Sequence, residues 1–256
     1  MPTSKPPKSC INNLSIFFPA YNDGGTIASM VLTAEIAART ITDDFEIIVV
    51  NDGSQDHTAL VLAELEKQLT CLRVIQHPKN LGYGAALRTG FASATKEWVF
   101  YTDGDAQYDP SEIPVLVEAL CEDVDVVNGY KISRNDPFIR ILLGTIYNFG
   151  VKLFFGLHLK DVDCDYRLMR RTIFNTIELE SDSGSICVEM IKKIQDAGFR
   201  FAEVPVSHYN RTYGKSQFFN WRRLIRTARQ LFVLWWKLVL IKKLTPARNE
   251  SGAPHE

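Results

Sequence analysis

The sequence predicts an α/β fold, a mainly parallel sheet with helices on both faces. Three observations carry that prediction. Five strand-sized apolar runs fall within the first 130 residues, a helix-sized segment follows each of the first four, and the loops that leave the strands are polar. Strands that alternate with helices of ten or more residues require crossovers, and crossovers make neighbouring strands parallel.

The runs Leu14 to Pro19, Phe45 to Val50, Leu72 to Gln76, Trp98 to Thr102 and Val124 to Asn128 are rich in β-branched and aromatic residues, as strands are. The intervening segments Thr26 to Arg39, Asp56 to Leu69, Tyr83 to Ala94 and Ser111 to Cys121 carry apolar residues at helical spacing. Phe138 to Leu157 is a twenty-residue apolar stretch with two charges. Its polar and small residues Arg140, Gly144, Asn148 and Lys152 recur every four positions. That stripe predicts an amphipathic helix on a membrane surface or lining a groove rather than a span. Trp221 to Arg229 sets an apolar face (Trp221, Leu224, Ile225, Ala228) against a basic one (Arg222, Arg223, Arg226, Arg229) and runs into Leu231 to Ile241. Those last eleven residues reach about 17 Å as a helix, against roughly 30 Å of hydrocarbon. Basic residues beside Trp and Leu suit a peripheral helix at an anionic bilayer, the alternative being a helix packed on its own domain or on a second subunit.

The formal net charge is −1, which excludes self-repelling disorder and argues against a protein that coats nucleic acid. The distribution is uneven. Residues 1–130 sum to −10 and residues 200–248 to +10, with Glu203 the only acid in the latter stretch. Five scattered cysteines without a CxxC pair fit a reduced cytosolic chain, and the N-terminus has no apolar leader. The expected organisation is a disordered tail over 1–12, a domain over 13–217 divided near residue 130, a membrane-surface helix over 218–244 and a second tail over 245–256.

Ligands of such sheets bind beyond the carboxyl ends of the strands. There the chain places Pro19-Ala20-Tyr21-Asn22-Asp23-Gly24-Gly25, Asn51-Asp52-Gly53-Ser54-Gln55-Asp56 and Asp103-Gly104-Asp105-Ala106-Gln107. Two carboxylates one residue apart at a strand end can hold one divalent metal while diphosphate oxygens fill its other positions, and Gln107 adds a hard oxygen. Asp56 reads as a helix cap and Gly53 as a turn residue, which leaves Asp52 without a structural task. Gly82-Tyr83-Gly84 reads as a helix start, and no GxSxG serine is present. His57, His77, His158 and His208 lack metal-ligand spacing and read as ordinary polar residues.

Pro19-Ala20-Tyr21-Asn22, Val49-Val50-Asn51-Asp52-Gly53-Ser54 with Asp56 and Thr58, Asn80-Leu81-Gly82-Tyr83-Gly84 and Asp103-Gly104-Asp105-Ala106-Gln107 together resemble the family 2 glycosyltransferases of GT-A fold. Asp161-Val162-Asp163-Cys164-Asp165-Tyr166-Arg167, Glu203-Val204-Pro205-Val206, Arg211 and Gly214-Lys215-Ser216 resemble the polyprenyl-phosphate branch typified by dolichol-phosphate mannose synthase. The resemblance covers roughly residues 13 to 240.

It implies that Pro19, Tyr21 and Asp23 border the base of a nucleoside-diphosphate sugar and that Asp52 contacts it. Asp103, Asp105 and Gln107 would hold Mg²⁺ or Mn²⁺ and the donor diphosphate. Arg211 and Lys215 would meet phosphates, and Asp105, Arg211 and Lys215 would form the catalytic set. Three positions depart from the family pattern. Asp23 stands for a usual Glu, Asp165 stands for a common Gly, and Asn128-Gly129-Tyr130-Lys131 replaces an arginine-bearing strand end. The acceptor phosphate is then left to Lys131, Arg134, Arg140 and Arg211.

The implied activity is inverting transfer of a sugar to polyprenyl phosphate at the cytoplasmic face of a membrane, by a peripheral protein without a transmembrane span. An anionic acceptor needs cations rather than a strong base. A second reading keeps the family but moves the sugar to a glycan or glycolipid hydroxyl, with Asp163 or Asp165 as base. A third is a non-catalytic membrane-docking adaptor, against which the intact acidic loops argue. The sugar, the base, the choice of metal, and a homo-oligomeric or membrane-protein partner stay open.

Overall fold

The structure is a computed structural model that describes residues 11–120, 122–132, 138–211, 213 and 221–241, with the backbone alone described for 138–143 and 221–224. Seven strands form one sheet in the order β3-β2-β1-β4-β6-β5-β7. They are β1 (Asn13–Ala20), β2 (Asp44–Asn51), β3 (Leu72–Gln76), β4 (Trp98–Thr102), β5 (Val126–Lys131), β6 (Tyr166–Arg170) and β7 (Phe201–Val206). The helices are α1 (Ile27–Ile41), α2 (Thr58–Gln68), α3 (Tyr83–Ser93), α4 (Ile113–Glu118), α5 (Phe138–Phe155), α6 (Ile173–Thr176), α7 (Ser185–Asp196) and α8 (Trp221–Trp235). A short 3₁₀ turn, Pro110–Glu112, precedes α4, and a π-helical turn, Trp236–Ile241, extends α8.

The parallel α/β sheet expected from the alternation is present, with one exception. β6 runs antiparallel to both β4 and β5. Alternation along the strands loads both faces. Leu14, Ile16 and Phe18 of β1 pack with α1, α2 and α4, whereas Phe17 packs with α3. At Gly90 of α3 an added Cβ would lie 2.4 Å from the Phe17 ring, so helix and strand touch directly. Ile11, within the expected N-terminal tail, is buried in the first of these layers.

Several boundaries differ from the sequence reading. β5 begins at Val126 instead of Val124, because Asp125 and Val126 both bond to the Arg200 carbonyl, and it continues to Lys131 in parallel register with Val206. The helix expected over Ser111 to Cys121 is reduced to α4, since the 3₁₀ turn takes up its start and the helix ends at Glu118. α2 starts at Thr58, and the Asp56 carboxylate accepts the Thr58 N–H at 2.9 Å from just outside the helix.

β6 is antiparallel, so its first residue lies at the edge where its parallel neighbours end: Tyr166 pairs with Thr102. The loops after β1, β2, β4, β5 and β7 and the residues before β6 therefore share one edge, where the site is built.

α5 and α8 pack on α7 through Val151, Phe155, Val188, Ile191 and Leu234. Trp235 Nε1 donates to the Phe154 carbonyl at 2.8 Å and joins the two helices. Asn148, part of the polar stripe of α5, is turned onto the loop between α5 and β6, donating to Lys160 C=O at 2.9 Å. Ile146, Phe149, Leu153 and Phe154 of α5 and Phe232 and Trp236 beside them are exposed. Among the described residues no helix is long and apolar enough to cross a membrane.

Candidate active site

The loop after β4 is shaped by its own backbone and by the β1 loop. Ala106 has a φ of 60°, a left-handed conformation that a residue with a Cβ adopts at a cost. Gly104 N–H donates to Pro19 C=O at 3.3 Å, and Gly104 C=O accepts the Thr26 hydroxyl at 2.8 Å. The polar side chains of this loop have different partners. Asp103 accepts the Tyr83 hydroxyl at 2.8 Å, from the first residue of α3. Asp105 forms an ion pair with Arg211, from the loop after β7. Gln107 is tied to Tyr209 twice: its carbonyl accepts the Tyr209 N–H at 2.8 Å and its amide donates to the Tyr209 carbonyl at 3.3 Å.

Acid crowding sets the electrostatics. Burial, reinforced by the charges of Asp165 and Asp105, pushes the Asp103 carboxyl well above the usual range, opposed by the Tyr83 hydroxyl. Burial likewise raises Asp23 to about 6, with the Tyr21 N–H pulling it down and Asp105 pushing it up. Burial works against the charge on Arg211, but Asp105 outweighs it and holds the guanidinium protonated. Such a surplus of mutually repelling carboxylates is what a divalent cation relieves. Among the described residues no three His, Cys, Asp or Glu side chains form a metal cage. A hard cation bound mainly by diphosphate oxygens and water needs only one or two carboxylates, and Asp103 and Asp105 fit that requirement.

The loops after β1 and β2 are stitched into one wall. Asn22 N–H donates to Ser54 Oγ at 2.9 Å, Asp23 N–H to Thr58 Oγ1 at 3.0 Å and Gly24 N–H to Asp56 Oδ2 at 3.1 Å. Asp23 is buried, folded back onto its own loop by the Tyr21 N–H at 2.9 Å, and Tyr21 is exposed. Asp52 is buried and accepts hydrogen bonds from His77, Leu81 N–H and Gly82 N–H. Gly82 has a φ of 102°, and an added Cβ there would meet the Asp182 carbonyl at 2.4 Å. The Gly84 N–H also goes to that carbonyl, at 2.9 Å. The start of α3 thus spends these two N–H groups on protein acceptors, in keeping with its reading as a helix start. Tyr213 packs against Gly25 and lies edge-on to His57 at 5.9 Å. A cavity of about 320 Å³ is lined by Asn22, Gln55, Asp56 and Tyr213.

The third wall is the segment before β6. Arg167 is fully buried and its guanidinium ties together β4, β5 and the segment before β6. Nε donates to Asn128 Oδ1 at 2.6 Å, Nη1 to the Tyr101 hydroxyl and to Asp165 at 3.1 Å, and Nη2 to Val162 C=O at 2.6 Å. Lys131 is turned inward, donating to Asp163 C=O at 2.8 Å and lying 3.6 Å from Asp161. Burial raises the Asp163 carboxyl to about 6, with Lys131 opposing.

The structure therefore gathers Pro19, Tyr21, Asp23, Asp52, Asp103, Asp105, Gln107, Lys131 and Arg211 at one edge. Arg134 and Lys215 lie outside the described residues, and Arg140 belongs to α5 with its side chain outside them. Two polar partners of these acids belong to no motif. Tyr83 grips Asp103, and His77, read as an ordinary polar residue, grips Asp52. The only signal for Tyr83 was its place between two glycines, and nothing marked His77.

The model of glycosyl transferase family 2 matches residues 15–178. An undecaprenyl-phosphate 4-deoxy-4-formamido-L-arabinose transferase of Pseudomonas fluorescens is 30% identical over 244 residues, covering 93% of this chain and 67% of that protein. The transferase of the same description from Serratia proteamaculans is 27% identical over 239 residues, 93% of this chain and 70% of that one. Among solved structures, glucosyl-3-phosphoglycerate synthase of Mycobacterium tuberculosis with Mn²⁺, UDP and glucosyl-3-phosphoglycerate superposes with a TM-score of 0.66 at 18% identity, over 88% of this chain and 79% of that chain. At that identity the likeness shows a shared fold.

Proposed function

This chain belongs to glycosyl transferase family 2 and has its GT-A fold, and on that premise we propose that it moves a sugar from a nucleoside diphosphate to a polyprenyl phosphate at the cytoplasmic face of a membrane. The observation that carries the proposal is the ion pair of Asp105 with Arg211 at the sheet edge, with Asp103 two residues away in the same loop. Carboxylates for a metal and a guanidinium for phosphates are what two anionic substrates require. Relatives that match 93% of the chain are undecaprenyl-phosphate sugar transferases, which supports the choice of acceptor.

Asp103 and Asp105 would hold Mg²⁺ or Mn²⁺, with Gln107 beside them. The ion supplies charge neutralisation for the diphosphate leaving group. Pro19, Tyr21, Asp23 and Asp52 form the wall for the base, and Arg211 with Lys215 draws the phosphates together. Lys131, Arg134 and Arg140 serve the acceptor phosphate alongside Arg211. An acceptor phosphate oxygen attacks the anomeric carbon as its bond to the diphosphate breaks, and the electron pair leaves with the nucleoside diphosphate. A single displacement inverts the anomeric centre. The nucleophile is already an anion at neutral pH, so no general base is assigned.

The outward apolar residues of α5 and α8, with Arg226 and Arg229 nearby in α8, form the surface that would rest on an anionic bilayer. The test is incubation with labelled nucleotide sugars, Mg²⁺ or Mn²⁺ and polyprenyl phosphate, followed by organic extraction. Metal-dependent label in the lipid phase is expected for one donor of the panel. Label that stays aqueous for every donor, including that of the relatives' formamido sugar, would contradict the proposal.

A further inference from the structure

The histidine that the sequence left without a role stands beside the buried acid of the β2 loop. β3 pairs with β2 so that Gln76 lies opposite Asn51, and the His77 N–H extends the ladder by one rung, donating to Asn51 C=O at 2.9 Å. Register alone therefore brings position 77 alongside Asp52. Nδ1 lies 2.7 Å from Asp52 Oδ1, and Nε2 lies 3.0 Å from Thr89 Oγ1 on α3. The two side chains of the pair are 8% and 5% exposed, so the contact is largely shielded from bulk solvent.

A carboxylate only accepts, so Nδ1 donates to Asp52, and in the neutral ring Nε2 accepts from the Thr89 hydroxyl. Each carboxylate oxygen has two lone-pair sites. Oδ1 spends both, on His77 and the Leu81 N–H, and Oδ2 spends one on the Gly82 N–H. Among the described residues, a single acceptor site on Oδ2 is left over. With three donors fixing the carboxylate plane, that site has one direction.

We propose that His77, braced by Thr89, is a positioning residue that aims the remaining lone pair of Asp52 at an N–H on the edge of the nucleotide base, and so sets base preference. The inference rests on the reading of Asp52 as the base contact. It predicts that the preferred nucleotide carries a ring N–H there. It also separates His77 from a merely satisfied core residue, whose loss would lower stability without changing which base binds.

The experiment measures the affinity of the full-length protein for UDP, GDP, CDP and ADP in Mn²⁺ by calorimetry, for wild type, His77→Ala, His77→Asn and Thr89→Val, with a thermal melt of each. His77→Ala is expected to lose roughly tenfold in affinity for the preferred nucleotide and to narrow its margin over the others. Asn places an amide nitrogen close to where Nδ1 stands, so His77→Asn restores most of the preference. Thr89→Val shifts it in the same direction as Ala but less, and serves if His77→Ala fails to fold. Unchanged affinity and preference in His77→Ala, or in Thr89→Val where it must stand in, would overturn the inference, as would equal loss for all four nucleotides. Absence of nucleoside diphosphate binding by the wild type would overturn the nucleotide reading itself, and the inference with it.

Discussion

Arg211 and Asp105, 106 positions apart in the sequence, meet as an ion pair across the top of the sheet. The pair joins the acidic front half of the chain to its basic back end. The net charge of −1 thus conceals two oppositely charged segments that touch through this pair. The Arg211 side chain is 34% exposed but that of Asp105 only 4%, so the pair is only partly screened and loss of Arg211 leaves a buried carboxylate without its cation. Arg211→Ala should therefore lower the melting temperature by several degrees while the chain still folds, and sugar transfer should fall about a hundredfold or more, far beyond what that stability loss explains, as the phosphates lose their cation. Transfer at the wild-type rate would remove Arg211 from the site.

Asp105→Asn keeps the shape of the loop and removes the charge. In calorimetric titrations with a nucleoside diphosphate, the enhancement of affinity by Mn²⁺ is expected to disappear while weak metal-free binding persists. A variant that still responds to Mn²⁺ like the wild type would show that the metal is held elsewhere.

Asp163 gives a pH signature. Its carboxyl is raised by burial to about 6 in the folded chain, above the ordinary value of 3.8. A raised carboxyl favours the folded state fully below its unfolded pKa, and that contribution is lost as pH climbs through the folded one. Asp163→Asn, neutral at every pH, should then be more stable than wild type at pH 7.5, by on the order of 1 to 2 kcal/mol. The gain should shrink toward zero at pH 4. Parallel urea melts at the two pH values measure it, and a gain independent of pH would contradict the assigned cause.

Arg167 is the converse case, a buried cation whose partners would be stranded by its loss. Truncation to Ala leaves Asn128, the Tyr101 hydroxyl, Asp165 and the Val162 carbonyl without their donor. The expected loss is ~3 to 5 kcal/mol, seen as a fall of about 10 °C in melting temperature. A shift of only a degree or two would mean that water replaces the guanidinium.

Close packing of α3 on β1 can be tested at Gly90, where a methyl group would stand 2.4 Å from the fully buried Phe17 ring. Helix propensity favours alanine, but overpacking should prevail, with a net loss of about 1 to 3 kcal/mol by chemical denaturation. A stabilised Gly90→Ala would show that Phe17 yields.

Local order made the first half of the fold legible. β1 to β4 alternate with helices in sequence, so periodicity alone set the parallel sheet and the edge to which Asp52, Asp103 and Asp105 belong. β6 escaped notice because its Arg167 is charged yet wholly buried, and a strand whose interior position is a paired cation does not show the apolar pattern of a strand. The pairing of His77 with Asp52 depends on the register of β2 and β3, and that of Tyr83 with Asp103 on where α3 begins. Neither is a property of a motif. For α5 the periodicity gave an amphipathic helix but not its facing. Asn148 turns inward to bond a loop, and Phe149 and Leu153 are left outside.

The most direct measurement offers the protein a choice of acceptor. With one labelled donor and Mn²⁺, polyprenyl phosphate is compared with the same polyprenol lacking its phosphate. Label is expected in the lipid phase with the phosphate, with an inverted anomeric linkage in the product, and none with the alcohol. Transfer to the alcohol at a similar rate, or to a soluble glycan with no lipid phosphate present, would contradict a phosphate acceptor.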